Sequence, residues 1–174
     1  MADEHAGQLD TTLLINNAST AEFAGPLDAD PGAVRREMAV NYDGTYATIR
    51  AFVPVLDANR GGHIVNVLSL LSLASSAPMT GYSASKAAAH SLTQALRRAG
   101  SPCTASTRRA STPTCSPAST SRRRRPPRSP RGSSTGLAAG EEDIFPDANA
   151  QAMSTVWRSD PKAVERALAR SAPA

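Results

Sequence analysis

Residues 63–98 read HIVNVLSLLSLASSAPMTGYSASKAAAHSLTQALRR, and the fold is decided there. The opening HIVNVLSLL (63–71) is aliphatic and β-branched and predicts a strand. A Ser- and Ala-rich loop leads to Gly81, and residues 82–98, rich in Ala and Leu, predict a helix. On that helix Tyr82 and Lys86 stand four apart, so they share a face. A free tyrosine hydroxyl titrates at about 10. A neighbouring ammonium favours the phenolate and is expected to lower that value. Such a pair works as a general acid/base toward a carbonyl or alcohol oxygen. The same spacing is common on surface helices, so the pair alone decides nothing.

Working outward, TTLLINNA (11–18) predicts a short strand covered on both faces. Ser19 to Pro31 reads as a loop. Asp30 is placed to cap a helix with Pro31 at its first position. That helix runs to about Leu56, with Val34, Met38, Tyr42, Tyr46, Ile49 and Val53 at helical spacing and Gly44 and Pro54 disturbing it. Gly61-Gly62 marks a turn. Strand, helix, strand, helix is the order of a parallel α/β sheet.

Residues 101–136 differ in kind. They hold nine Ser, six Thr, six Pro and eight Arg, with no Asp, Glu, Leu, Ile, Val or Phe. Such a segment buries too little apolar surface to offset its chain entropy, so disorder is expected and no strand. It also carries the chain's basic character: the net charge of +4 becomes negative once its eight arginines are set aside. Normal composition resumes at Leu137. Short helices are expected at about Ala148–Trp157 and Pro161–Ala169, the second capped by Asp160. The domain reading is therefore 1–100 for a central α/β part with the candidate site, 101–136 for the Ser/Arg/Pro-rich segment, and 137–174 for a C-terminal helical part.

Both cysteines, Cys103 and Cys115, fall in the odd segment, and no secretory leader precedes them, which argues against a disulfide scaffold. No apolar run approaches the roughly 18 residues of a membrane helix. The expectation is a cytoplasmic protein with no membrane partner. His5, His63 and His90 show no metal-ligand spacing, so no metal is expected.

Several motifs together resemble the short-chain dehydrogenase/reductase family. Its Tyr-x-x-x-Lys pattern stands here as Tyr82-Ser-Ala-Ser-Lys86. Its strand-end serine, thirteen positions before the tyrosine, is Ser69. Its helix asparagine is Asn41 in AVNYDGTY, and its Asn-Asn-Ala-Gly is Asn16-Asn17-Ala18-Ser19. The resemblance implies a partial doubly wound, Rossmann-type parallel sheet (α/β) with the first three β-α units missing. It implies NAD or NADP as cofactor and a small-molecule carbonyl or alcohol as substrate. It implies roles too: Tyr82 for proton exchange with the substrate oxygen, Ser69 to hold that oxygen, Lys86 to tune Tyr82 and bond the nicotinamide ribose. Asn41 would hold a water in a relay to Lys86, Asn17 and Ala18 would border the adenosine side of the cofactor, and Asn16 would help fix the sheet. The helices of Asn41 and Tyr82 commonly pair in family dimers, so a homo-oligomer is expected if they fold.

Two departures stand out. Ser19 replaces a glycine, and would be strained if the backbone there needed positive φ. No Gly-rich TGxxxGxG turn precedes Asn16, the element that brings backbone to a pyrophosphate. Residues 103–121, read one base earlier under one codon assignment, give VHGVHPARVDTDMLAGVDV, which resembles the family's next strand and proline turn. A frame-shifted reading of a GC-rich gene, or a genuine basic insert, explains the segment. Three functions stay open: an NAD(P)-dependent oxidoreductase, a catalytically inactive truncated family member, and a polyanion-binding protein acting through Arg122–Arg131. The last lacks interleaved aromatics to stack bases, which argues against nucleic acid.

Overall fold

The computed structural model describes residues 10–99, 103–108 and 131–169. The Arg122–Arg125 run and Cys115 lie outside the described residues, and with them most of the polyanion-binding reading.

Four parallel strands form one sheet in the order β1-β2-β3-β4. They are β1 (Leu13–Asn16), β2 (His63–Ser69), β3 (Cys103–Arg108) and β4 (Asp143–Ile144). The first helical stretch runs as α1 (Pro31–Met38), a π turn at Ala39–Asp43, then α2 (Gly44–Ala58). Next come a 3₁₀ turn (Leu70–Ser72) and α3 (Thr80–Arg98). The C-terminal part holds α4 (Arg131–Ala138), α5 (Ala148–Ser159) and α6 (Pro161–Ala169). Sequential strand order with helical crossovers is what one half of a doubly wound sheet looks like.

Local chemistry accounts for the boundaries. Asp30 accepts from the Ala33 amide at 2.9 Å, filling one of the open donors at the start of α1. Asp147 and Asp160 do the same for α5 and α6. Pro54 sits inside α2 without breaking it. Pro54 and Arg50 are both exposed, so the Arg50 carbonyl that proline leaves unbonded faces water. The α2–β2 connection passes through Arg60 and Gly61 at φ 66° and 105°, a conformation that the glycine adopts without steric cost. The chain then enters β2 with the His63 amide on the Thr12 carbonyl at 2.9 Å.

The main core lies between the sheet and α2 and α3. Leu14, Ile49, Leu56 and Ile64 are buried together, with Phe52, Val53, Leu92 and Leu96 packed around them. Each such side chain stabilises the fold by roughly 1.5–3 kcal/mol relative to exposure.

Three expectations need correction. Strand β1 is covered on one face only: Leu14 is buried, while Leu13 and Ile15 remain 40% and 55% exposed. No described helix packs over that second face. Of the stripe Val34, Met38, Tyr42, Tyr46, Ile49 and Val53, Ile49 alone is buried. The buried positions are Ala33, Glu37, Asn41, Ile49, Val55 and Leu56, and Tyr46 is exposed beside Tyr42 and Arg50. The π turn adds a residue to the ladder and turns a polar row toward α3. Finally, residues 103–108 do form a strand, paired with β2 from Ile64↔Cys103 to Ser69↔Arg108. A parallel ladder is made by backbone groups, and Thr104 and Thr107 are β-branched, so pairing survives the lack of aliphatic residues.

Candidate active site

The site forms where β2 ends and α3 begins. Ser69 is the last residue of β2 and is 1% exposed. Its hydroxyl oxygen accepts from the Leu71 amide at 3.2 Å, starting the 3₁₀ turn. Its proton is thereby free to donate, and the hydroxyl acts to lower the Tyr82 pKa. Tyr82 lies in the first turn of α3, packed against Leu71, Met79, Ala21 and Leu168.

Lys86, one turn on, is 4% exposed and donates to the Val67 carbonyl at 3.0 Å. Its ammonium sits 5.8 Å from the Tyr82 ring centre. Burial pulls its pKa down to about 8. Among the described residues that carbonyl is its hydrogen-bond partner, so a three-proton donor retains capacity for further acceptors.

The Tyr82 pKa is raised, not lowered as its pairing with Lys86 predicts. Burial is the largest cause. The hydroxyls of Ser69 and Ser19 pull the other way, and the Glu37 carboxylate adds to the rise. Spacing puts an ammonium near the ring, but the apolar walls come from Leu71, Met79 and Leu168, far apart in sequence. Their desolvation is the largest influence on the phenol.

Asn41 is 1% exposed in the π turn. Its amide donates to the Thr20 carbonyl and to Ser85 Oγ, both at 2.8 Å, and its oxygen accepts from the Thr20 amide at 2.8 Å. The side chain is thus spent on tying the loop after β1 to the helix of Tyr82. Asn41 does not touch Lys86 directly. Asn16 donates to Asn66 at 2.8 Å, and Asn66 donates to Thr93 at 2.9 Å, so a polar chain links β1, β2 and α3 through the core. Asn17 and Ala18 are exposed and line a cleft of about 480 Å³ with Ile15, Val40, Thr45 and Thr48, apart from the Tyr82 cluster.

Sequence reasoning missed three participants. Glu37 is 2% exposed, accepts from the Glu22 amide at 2.9 Å, and lies against Gly81 so closely that a Cβ there would strike its carboxylate. Ser85 is buried and accepts from the Asn41 amide. Ser19, noted only as a departure, acts to lower the Tyr82 pKa. Its backbone is unstrained: among the described non-glycine residues only Arg60 has positive φ. Nothing in the spacing signals Glu37, because a buried carboxylate looks like a surface residue on an exposed helix face. Among the described residues no cluster of three or more metal-ligating side chains gathers, and no helix is long and apolar enough to cross a membrane.

Residues 1–108 match the family model for short chain dehydrogenase. An uncharacterized oxidoreductase of Staphylococcus saprophyticus is 37% identical over 95 residues, 55% of this chain and 40% of that protein. A galactitol 2-dehydrogenase (L-tagatose-forming) of Cereibacter sphaeroides is 38% identical over 87 residues, 49% of this chain and 34% of that one. The chain therefore spans between a third and two fifths of these relatives' lengths. A short chain dehydrogenase from Burkholderia cenocepacia, solved with NADP, superposes with TM-score 0.75 at 32% identity, covering 96% of this chain and 75% of that one. The strands and helix that build the Tyr82 site are the ones that carry the family match, and that match takes in more than half of the sequence: this chain belongs to the short chain dehydrogenase family.

Proposed function

We propose that the site is the proton-transfer centre of an NAD(P)-dependent oxidoreductase acting on a carbonyl or secondary alcohol. One observation carries the reading: Tyr82 and Lys86 are buried together, the ammonium 5.8 Å from the ring centre, and the Ser69 hydroxyl at a strand end acts on the same phenol. Tyr82 exchanges a proton with the substrate oxygen. Ser69 holds that oxygen with a fixed hydroxyl dipole where charge develops. Lys86, with ammonium protons to spare, holds the ribose hydroxyls of the cofactor and keeps a positive charge beside the phenol. The bound nicotinamide supplies or takes the hydride.

The donor set fits that cofactor. A buried ammonium with one carbonyl partner suits a diol, and the cleft bordered by Asn17 and Ala18 suits a flat aromatic base between Ile15 and Val40. Asn41 acts as the brace of the site. Both amide protons of Asn41 are committed, so a relay water would meet this side chain only by donating to its oxygen.

The test is a titration of the full chain with NADH and NADPH, followed by nucleotide fluorescence. Saturable binding, lost in Lys86→Ala, together with turnover of a carbonyl panel that is lost in Tyr82→Phe, supports the enzyme. Absence of binding at millimolar nucleotide supports an inactive family member and overturns the reading.

A further inference from the structure

We infer that Glu37 is a positioning residue of the active site: as a buried anion on α1 it seats the first turn of α3, the turn that carries Tyr82, against the loop after β1. The inference rests on the reading of Tyr82 as the proton-transfer residue. A glutamate is almost never fully buried unless something holds it, and Glu37 is 2% exposed. Among the described residues it makes no salt bridge. What holds it is backbone. One carboxylate oxygen accepts from the Glu22 amide at 2.9 Å. The other lies against Gly81, so closely that a Cβ there would strike it. Val34, one turn earlier on α1, closes the other side, its Cγ2 3.2 Å from where that Cβ would stand. Gly81 is thus seated in a notch of α1.

The first turn of α3 has a use for a negative charge. The opening amides of a helix lack an intrahelical acceptor, and that end carries a positive partial charge. Helix α3 does not answer this from its own sequence: Met79 makes no side-chain cap bond, and the first turn holds no acidic residue. The Ser83 amide is the first to bond back, to the Met79 carbonyl at 2.9 Å. The missing anion stands on α1, and the absence of a side chain at Gly81 lets it approach.

Asn41 acts in the same way one turn further on. It holds Thr20 by both backbone groups and donates to Ser85 Oγ. Glu37 meets Gly81 and Asn41 meets Ser85, so the contacts are four residues apart on both helices, and Tyr82 stands between them. Each residue also holds the loop after β1, at Glu22 and at Thr20. Two points fix the direction of a helix as well as its place. With Asn41 alone, this side would hold α3 at one point, beyond Tyr82.

The experiment labels the three tyrosines of the full chain with ¹³C at Cζ and follows their titration, with Tyr82→Phe assigning the Tyr82 signal. The phenol meets Lys86 on its own helix, Glu37 on α1, and the Ser69 and Ser19 hydroxyls, while Leu71, Met79, Ala21 and Leu168 bring only apolar contact. Glu37→Gln keeps the length and an acceptor for the Glu22 amide but loses the charge. Glu37→Met fills the same space with no charge at all, a change of similar volume that a packed site tolerates. Both should lower the Tyr82 midpoint by about half a pH unit, because a nearby negative charge is gone and the first turn is loosened toward water. The Tyr46 signal, from the exposed face of α2, should stay in place and report an intact fold. A merely structural Glu37 would lower the denaturant midpoint and leave Tyr82 unmoved. That result, in whichever variant keeps the native Tyr46 signal, overturns the inference. The readout needs no nucleotide. A chain that binds no cofactor yet shows the fall would reject the oxidoreductase reading and leave the seating of Tyr82 by Glu37 standing.

Discussion

The Lys86 ammonium is bonded to the Val67 carbonyl at 3.0 Å, and this ties α3 to the middle of β2 through a charge that is 4% exposed. Burial lowers the Lys86 pKa to about 8 from its ordinary 10.5. The folded chain thus binds fewer protons than the unfolded chain between those two values, and stability rises with pH across that window. Below about 8 the whole cost of burying the charge is present. The raised Tyr82 pKa acts in the opposite sense only above the ordinary tyrosine value of about 10. Urea midpoints should therefore climb from pH 8 to pH 10, by on the order of 3 kcal/mol at most. Lys86→Met should be flat over the same range.

A second prediction concerns the polar chain Asn16–Asn66–Thr93. Asn66→Ala strands the Asn16 amide against the core and takes a donor from Thr93. Denaturant unfolding should show a loss of about 1–3 kcal/mol. Asn59→Ala removes a part-buried bond to the Thr11 carbonyl at the edge of the sheet instead and should cost less.

Gly81 and Glu37 should be energetically coupled. A methyl at Gly81 strikes the Glu37 carboxylate, so Gly81→Ala should destabilise the chain by about 1–3 kcal/mol. In a Glu37→Ala background the same change should cost much less. Independent, additive costs in the double-mutant cycle would show that the two residues do not meet.

The fourth prediction is genetic. Strand β3 keeps full register with β2 from Cys103 to Arg108 although its residues are small and polar, and the family match stops at residue 108. Resequencing should reveal a compensating pair of insertions or deletions around the segment 101–136. The restored reading, with valines in β3, should raise the unfolding midpoint well above that of the present chain. An unbroken frame would make the segment a genuine insert.

Much of the architecture can be read from short-range signals. Asp30 and Asp160 announce helix starts because a cap is a contact over three residues. Ser69, Tyr82 and Lys86 are legible because strand end and helix turn fix their spacing. Harder to read is whatever depends on distant packing. The direction of the Tyr82 pKa is set by Leu71, Met79 and Leu168 closing over it. Glu37 becomes a buried residue only because the π turn and Gly81 make room for it. Strand β3 is invisible to composition because its partner is the backbone of β2.

The ordinary φ at Ser19 has an evolutionary corollary. Where a glycine is kept for its left-handed backbone, replacement is penalised and the position is frozen. Here serine and glycine fit the same backbone and are one base apart in the AGY and GGY codons. A lineage can therefore exchange the two residues at this position in a single mutational step, with no intermediate that must first tolerate a misfolded loop.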